Sequence, residues 1–154
     1  MAEKKDPAVK IVQKNRKAWF NYEILEKVEA GIVLTGSEVK SIRAGHVSIH
    51  ESYARITKGE PWVVNMDIAP YAQAGPFNHE PKRRRKLLLK KTEIRRLIGK
   101  TAERGLTLVP LSLYFKDGFA KLEIGLARGK RQFDKREAIK KRESSRDLRR
   151  RAMR

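Results

Sequence analysis

The sequence predicts a mainly β protein with short helices, built as a small closed antiparallel barrel of about six strands that carries a basic C-terminal tail. Two patterns predict the barrel. Apolar and polar residues alternate over several short stretches, which is the period of a half-buried strand. The Asp117-Gly118 pair between two such stretches is a strong signal for a two-residue hairpin turn. A third pattern, the dense run of charges from residue 128 onward, separates the tail from this apolar part of the chain.

Six segments have the alternation expected of strands. Phe20, Tyr22 and Ile24 share one face of the first segment, which ends at a predicted turn over residues 29–31. Six short strands with two or three helices favour an OB-like barrel, a fold whose faces commonly bind nucleic acid. The predicted strands are residues 19–28, 32–34, 52–57, 62–68, 105–115 and 119–127, with residues 58–61 as the turn between the third and the fourth.

Two segments carry helix signals. Ser37 is a good N-cap and Gly45 stands where a glycine commonly follows a helix, which predicts a short helix over residues 38–44. Thr92 can cap a second helix, whose apolar stripe ends before Gly105.

The charge balance predicts a polyanionic partner. The chain has 154 residues, of which 37 are Lys or Arg and 18 are Asp or Glu, so its formal net charge is +19. Such a protein binds polyanions with release of counterions. The absence of cysteine excludes disulfides, thiolate catalysis and cysteine-ligated zinc. No apolar run is long enough for a membrane span and no signal peptide is evident, so we expect a cytosolic protein without a membrane partner, and a monomer.

The C-terminal tail is predicted to be a separate functional unit. Residues 128–154 hold 13 Lys or Arg and 4 Asp or Glu, with few apolar side chains. This composition predicts a segment that is disordered alone. Residues 134–151 contain no Pro or Gly, so the tail can become helical against RNA. The barrel domain is therefore predicted to span residues 1–127, beginning with a flexible arm over residues 1–10.

Five consecutive cations, Lys82-Arg83-Arg84-Arg85-Lys86, form the strongest local signal in the barrel domain. They are predicted to lie in a loop, where their heads can splay along a phosphate backbone, because the arginine fork suits phosphate and stacks on bases. The alternative is a solvated charge run or a localisation signal.

A second basic segment, Asn15-Arg16-Lys17, precedes the aromatic pair Trp19-Phe20. Amide and basic groups beside aromatic rings can contact nucleotides through hydrogen bonds, charge and stacking. The alternative is an ordinary basic arm next to aromatic residues of the core.

Three further residues are candidates for RNA contact. Glu29 lies in a predicted turn and can accept a hydrogen bond from a base amino group or a ribose hydroxyl, or it can simply hold a neighbouring Lys or Arg. Lys40 and Arg43 are predicted to share the outer face of the first helix.

The sequence offers no pattern for catalysis or a bound metal. His46, His50 and His79 are the only histidines, they lack zinc-motif spacing, and no nucleophile elbow or phosphate-cradling glycine motif is present. We therefore expect neither cofactor, metal site nor catalytic residue. A metal-dependent nuclease remains an alternative, which Mg²⁺-dependent RNA cleavage would reveal.

Several segments, spread in order over about residues 9–145, form a specific combination: Asn15-Arg16-Lys17, Glu29-Ala30-Gly31, residues 34–45, residues 83–89, residues 111–115 and residues 129–136. Together these segments resemble the small protein B family, the tmRNA-binding factors of bacterial trans-translation. No single one of them would suffice.

The resemblance implies an OB-like barrel that binds the tRNA-like domain of tmRNA and replaces its missing anticodon arm. It also implies delivery of alanyl-tmRNA, with elongation factor Tu and GTP, to ribosomes stalled on truncated mRNA. The tail would then enter the empty mRNA channel as a helix, beside the 16S rRNA of the decoding centre. Peptide tagging and ribosome rescue would follow.

The resemblance also implies sites. Phe133 stands where relatives often have His, and Lys90 where a neutral polar residue is familiar, so Lys90 is expected to contact phosphate. Through the resemblance, the candidate RNA-binding residues are Asn15, Arg16, Lys17, Glu29, Arg83, Arg85, Lys86 and Leu88, and their charge and position add Lys40, Arg43, Arg84 and Lys90. The candidate decoding-centre residues are Gly129, Lys130, Arg131, Phe133, Asp134, Lys135 and Arg136.

The main alternative is a ribosomal or rRNA-binding structural protein. Such a protein would share the positive charge and the barrel, so composition alone does not separate the two functions.

Overall fold

The computed structural model describes residues 8–102 and 105–130, which form a mainly β structure with short helices. This fold class agrees with the prediction. The three α-helices are α1 (Arg16–Asn21), α2 (Gly36–Arg43) and α3 (Lys91–Thr101), and a 3₁₀ helix covers Ala72–Phe77. The strands are β1 (Val9–Lys14), β2 (Tyr22–Ile32), β3 (Val47–Ser48), β4 (Tyr53–Thr57), β5 (Glu60–Val64), β6 (Asp67–Ile68), β7 (Arg85–Leu88), β8 (Leu106–Lys116) and β9 (Phe119–Gly129).

Seven of these strands form one antiparallel sheet, in the order β1-β8-β4-β5-β7-β2-β9, and β8 also pairs with β9. The pairings therefore run from β8 through β4, β5, β7, β2 and β9 and return to β8. Strands β2, β8 and β9 are each 11 residues long. Irregularities between Ile24 and Glu26 and between Pro110 and Ser112 interrupt the register, and such bulges bend a strand and increase its twist. Strands β3 and β6 form a separate pair.

The core follows from the alternation along the long strands. Leu122, Ile124 and Leu126 of β9 are buried on one face and pack with buried Leu113 and Phe115 of β8. Full burial of each aliphatic side chain contributes about 1.5–3 kcal/mol relative to exposure. A smaller apolar cluster holds α1 against β8 and β9; its buried members are Ala18, Val109, Leu111 and Ala127.

The predicted hairpin between the last two strands is confirmed. Asp117 and Gly118 both have positive φ, 51° and 83°, and Lys116 pairs with Phe119 on either side of them. Both central residues of a type I′ turn need positive φ, which explains the Asp-Gly preference.

The first long strand differs from the prediction. Trp19 and Phe20 belong to helix α1 and not to a strand, because the side chain of Asn15 caps this helix. The predicted turn over residues 29–31 is also wrong, since β2 continues through it and pairs with β9. Gly31 instead gives room to Leu88 of β7, whose Cβ would lie 3.2 Å from a Cβ at position 31.

The ends of the seven-stranded sheet also differ from the predicted domain boundaries. Strand β1 begins at Val9, within the predicted flexible arm, because it pairs with β8 from Lys116 onward. Strand β9 continues through Gly129, which pairs with Tyr22, so the sheet extends two residues beyond residue 127. The predicted disordered or helical tail lies almost entirely in residues 131–154, outside the described residues.

Both predicted helices exist, with shifted starts. Helix α2 is capped at Thr35 through a capping box with Glu38, so it begins before the predicted Ser37 cap. Helix α3 has Lys90 rather than Thr92 at the cap position.

Candidate nucleic-acid interface

The five-cation block lies only partly in a loop: residues 82–84 precede β7, whereas Arg85 and Lys86 belong to that strand, which corrects the prediction of a loop over the whole block. Arg85 opens strand β7 and is 0% exposed. Its Nε donates to Oε2 of Glu38, Nη1 donates to the Met66 carbonyl at 2.5 Å, and Nη2 donates to the Pro81 carbonyl at 3.1 Å. Each nitrogen of the guanidinium therefore already has a hydrogen-bond partner within this protein. The guanidinium cannot reach a phosphate without leaving the core.

Glu38 is the acceptor at the centre of this arrangement, and it is also 0% exposed. Its Oε1 accepts from Nη2 of Arg83 at 2.5 Å and from the backbone N–H of Thr35 at 2.8 Å. Burial alone raises the pKa of Glu38, but the hydrogen bonds from Arg83, Thr35 and Arg85 outweigh it, so the pKa lies below its ordinary value. Both charges of the Glu38–Arg85 pair are retained, although burial lowers the pKa of Arg85.

Arg84 and Lys86, on either side of Arg85, lie outside this buried arrangement and are at least partly exposed. The guanidinium of Arg84 lies 4.4 Å from the ring centroid of Trp62, a cation–π contact. Lys86 is opposite Trp62 on the neighbouring strand, and its Nζ is 3.4 Å from Glu60. Strand pleating separates these side chains from Arg85, so alternate residues of the block have opposite roles.

Asn15 is a structural residue in the free protein, because only 2% of it is exposed. Its Oδ1 accepts from the backbone N–H of Ala18 at 3.1 Å, and its Nδ2 donates to the Pro110 carbonyl at 2.9 Å. Its neighbours Arg16 and Lys17 are exposed, and Lys17 pairs with Glu51 at 2.7 Å. The cap thus presents two cations at the start of α1.

Glu29 contacts neighbouring side chains of this protein. This agrees with the second interpretation of the sequence, in which Glu29 holds a neighbouring Lys or Arg. It accepts a hydrogen bond from the Tyr114 hydroxyl, and Nζ of Lys116 lies 3.4 Å from its Oε1. The Tyr114 hydrogen bond lowers the pKa of Glu29 against the opposing effect of burial, and Lys116 lowers it further. The carboxylate is therefore charged and remains partly exposed.

Leu88 and Lys90 both lie at the surface. Leu88 is 56% exposed and pairs with Gly31, two residues along β2 from Glu29. Because alternate residues share a face of a strand, Leu88 and Glu29 lie on the same outer side of the sheet. Lys90 occupies the cap position of α3 and is exposed.

The two cations of α2 are exposed next to aromatic rings. Nζ of Lys40 lies 5.4 Å from the ring centroid of Tyr71, and the guanidinium of Arg43 lies 5.7 Å from that of Phe115. The predicted outer-face positions of Lys40 and Arg43 are therefore exposed, and each cation has a ring partner different from that of Arg84.

The start of the predicted decoding-centre segment is joined to α1. Gly129 ends β9, the backbone N–H of Lys130 donates to the Asn21 carbonyl at 2.9 Å, and Nζ of Lys130 donates to the Trp19 carbonyl at 3.2 Å. Arg131, Phe133, Asp134, Lys135 and Arg136 lie outside the described residues.

Sequence reasoning missed an open groove beside α1. Trp19 lines it with Lys27, whose Nζ lies 4.8 Å from the indole centroid, and with Tyr114 and Glu123. The position of Tyr114 on the groove side of β8 could have been found, because it is out of phase with Leu113 and Phe115, although Tyr114 is only 8% exposed. The alternation does not predict the Trp19–Lys27 contact, because it assigns Trp19 to a strand, whereas Trp19 belongs to helix α1.

Two further features concern residues 8–102 and 105–130 only. No helix in this part of the chain is long and apolar enough to cross a membrane. No group of three or more His, Cys, Asp or Glu side chains in it is arranged to hold a metal ion.

Exposed cations beside aromatic rings on a basic, mainly β scaffold are the surface of a nucleic-acid-binding protein. The family model of SmpB protein matches residues 12–154. The chain belongs to the SmpB family.

Similar proteins cover nearly the whole chain. An SsrA-binding protein of Carboxydothermus hydrogenoformans is 60% identical over 139 residues, which are 90% of this chain and 93% of that protein. An SsrA-binding protein of Trichodesmium erythraeum is 54% identical over 151 residues, 97% of each chain. A solved chain from "tmRNA-SmpB: a journey to the center of the bacterial ribosome" is 53% identical, with a TM-score of 0.66 over 82% of this chain and 93% of that one.

Proposed function

We propose that this protein binds tmRNA and acts with it in trans-translation on the bacterial ribosome. Membership of the SmpB family, relatives named SsrA-binding protein and a similar chain solved as tmRNA–SmpB in the ribosome support this function. The proposed role is that of a binding protein in the cytoplasm, without catalysis.

The observation that carries the proposal is the arrangement of exposed groups on the outer face of the sheet. Arg84 stacks on Trp62, Lys86 lies across from that ring, and Leu88 shares its face with Glu29. Cations that neutralise phosphates, an apolar side chain and a charged acceptor are the three kinds of group that RNA recognition uses. The pairings that return to β8 support a closed OB-like barrel as the scaffold.

We divide the candidate RNA-binding residues by their surroundings. Asn15 and Arg85 are buried, so they position their neighbours, and the half-buried Arg83 shares that role through Glu38. The proposed contacts with tmRNA are made by the exposed Arg16, Lys17, Glu29, Lys40, Arg43, Arg84, Lys86, Leu88 and Lys90.

The tail has a separate proposed role. Gly129 and Lys130 anchor its start on the sheet and on α1. Arg131, Phe133, Asp134, Lys135 and Arg136 are proposed to enter the decoding centre as the tail forms a helix in the mRNA channel. Elongation factor Tu with GTP is the proposed carrier of the complex, in which the protein, as a monomer, replaces the anticodon arm.

The test is the affinity of the full chain for tmRNA and for an elongator tRNA across a salt series. The expected result is a preference for tmRNA that persists at high salt, because shape recognition adds to counterion release. Equal binding of the two RNAs that collapses together as salt rises would contradict the proposal and favour a general rRNA-binding protein.

A second experiment separates the tail from the barrel. A chain that ends at Lys130 keeps all of β9 and the contacts with α1. It is expected to retain tmRNA affinity and to lose peptide tagging in a reconstituted translation reaction. Parallel loss of both activities would contradict a separate role for the tail.

A further inference from the structure

A groove with a volume of about 560 Å³ lies between α1 and the outer faces of β1, β2, β8 and β9. Its apolar wall is formed by Val9, Ile11 and Trp19, all of them exposed. A surface of this kind on a chain of charge +19 combines stacking area with electrostatic attraction for a polyanion. We call it the α1 groove.

Trp19 is the group in the α1 groove on which a base can stack. The side chain is 43% exposed and lies beside the exposed Val9 and Ile11, so the groove offers a ring and aliphatic surface together. Nζ of Lys27 already lies 4.8 Å from its ring centroid. A base stacked on this indole would bring its phosphate near an ammonium that is already in place.

Charge in the α1 groove is suited to a nucleotide. Four cations line it together with two carboxylates. Net positive charge favours a phosphate, while the carboxylates favour a ligand that also carries hydrogen-bond donors. The cations are Lys14, Arg16, Lys27 and Lys116, and the carboxylates are Glu29 and Glu123.

Glu29 and Glu123 lie directly opposite each other on β2 and β9. Like charges at such paired positions are unfavourable. Glu29 is compensated by Tyr114 and Lys116, whereas the Glu123 carboxylate accepts no hydrogen bond and forms no ion pair with any of the described residues. Glu123 is therefore a charged acceptor that the folded chain leaves open.

We infer that the α1 groove binds one unpaired nucleobase that carries an exocyclic amino group. The base stacks on Trp19, its amino group donates to Glu123, and its phosphates meet Lys27 and Lys116. This inference rests on the proposed RNA-binding function and names the part of the RNA that this surface takes. Uracil, which has no amino group, is disfavoured.

The test uses Trp19 as its own reporter. The chain has two tryptophans, so Trp62→Phe leaves Trp19 as the only one. Pentanucleotides r(UUAUU), r(UUCUU) and r(UUGUU) are expected to quench its fluorescence and to bind about tenfold more tightly than r(UUUUU), the lower range for a specific base contact. Unchanged fluorescence at saturation, or equal affinity for all four, overturns the inference.

A second test measures the affinity of variants for labelled pentanucleotides by fluorescence anisotropy. These variants are made in the chain that retains Trp62. Trp19→Ala is expected to weaken binding about tenfold, the loss typical of one base–aromatic stack, while Trp19→Phe retains most of it. Glu123→Ala, which removes the acceptor, is expected to abolish the preference over r(UUUUU). Phe77→Ala, which removes an exposed aromatic ring outside the groove, is the matched control and is expected to change nothing. Loss of binding in the control but not in Trp19→Ala overturns the inference.

The same variants are titrated with tmRNA, which distinguishes the two proposals. If tmRNA is preferred over elongator tRNA but neither Trp19→Ala nor Glu123→Ala changes the affinity, the groove inference fails and the proposed function stands. If tmRNA and tRNA bind equally while the pentanucleotide preference holds, the proposed function fails and the groove inference stands.

Discussion

Glu38 of α2 and Arg85 of β7 form an ion pair in which neither side chain is exposed to solvent. The pair joins residues 47 positions apart in the chain. Its guanidinium also bonds the Met66 carbonyl, and its carboxylate also bonds Arg83 and the N–H of Thr35. Because hydrogen bonds satisfy both charged groups, the pair can be buried, and it fixes the basic block to the helix.

Replacement of Glu38 by Gln should strongly destabilise the fold. The change leaves the buried guanidinium of Arg85 without its anion, and removal of one partner of a buried pair typically costs about 3–5 kcal/mol. Urea unfolding followed by circular dichroism measures the change. Glu51→Gln is the matched control, since Glu51 pairs with Lys17 at the surface and should leave the midpoint unchanged. Equal shifts of the urea midpoint in the two variants would show that burial of the Glu38–Arg85 pair does not determine the loss of stability.

The stability of the protein should fall at acid pH, partly through Glu38. The pKa of Glu38 in the folded state is held below its ordinary value of 4.5, so the unfolded chain takes up the proton first as pH decreases. The stabilisation is therefore complete above the unfolded pKa and is lost as pH falls through the folded pKa.

The measurement is the urea midpoint of the wild type and of Glu38→Gln between pH 7 and pH 3. The gap between the two curves is expected to narrow as the pH falls below about 4.5. The Glu51→Gln curve should run almost parallel to the wild type, because solvent screens an exposed pair. A gap of constant size would mean that Glu38 does not titrate in this range.

Arg84 and Arg85 are adjacent, yet their alanine variants should have opposite effects. Arg84→Ala removes an exposed cation, so it should lower the slope of log affinity against log salt for tmRNA by about 1 and leave the urea midpoint unchanged. Arg85→Ala leaves Glu38 without one of its two arginine partners and should lower the midpoint. A reduced salt slope for a folded Arg85→Ala variant would instead support the direct contact expected from the sequence.

Two glycine-to-alanine changes should shift the stability in opposite directions. A Cβ at Gly125 would lie 2.9 Å from Cδ1 of Leu111 and 3.2 Å from Cγ2 of Ile24, within the packed cluster under α1. Such overpacking costs about 1–3 kcal/mol. A Cβ at Gly99 of α3 meets nothing within 4 Å, so that change should stabilise the helix by about 1 kcal/mol. Thermal unfolding of the two variants measures both changes in stability. Destabilisation by Gly99→Ala would contradict this reasoning.

Local signals explain where the sequence predicted the fold correctly. The Asp117-Gly118 pair was sufficient to predict the hairpin. The alternation of Leu122, Ile124 and Leu126 correctly predicted the buried face of β9. Local signals also explain the errors. Residues 29–31 resemble a turn because they include Gly31. The glycine is instead required by the close approach of Leu88 from β7, a residue that is distant in the sequence.

For the candidate site, the sequence alone determined the chemistry of the surface: the excess of cations, the adjacent basic block and the aromatic residues near Asn15. Only the tertiary structure decided which of these groups are exposed to solvent and which are buried. Arg85 is internal because β7 lies beside α2 and brings it to Glu38, and Asn15 is internal because it caps α1. Charge and the alternation of apolar and polar residues depend on residues that are close in the sequence, whereas burial depends on pairings between residues far apart in the chain. Adjacent arginines with the same chemistry, such as Arg84 and Arg85, can therefore have different roles.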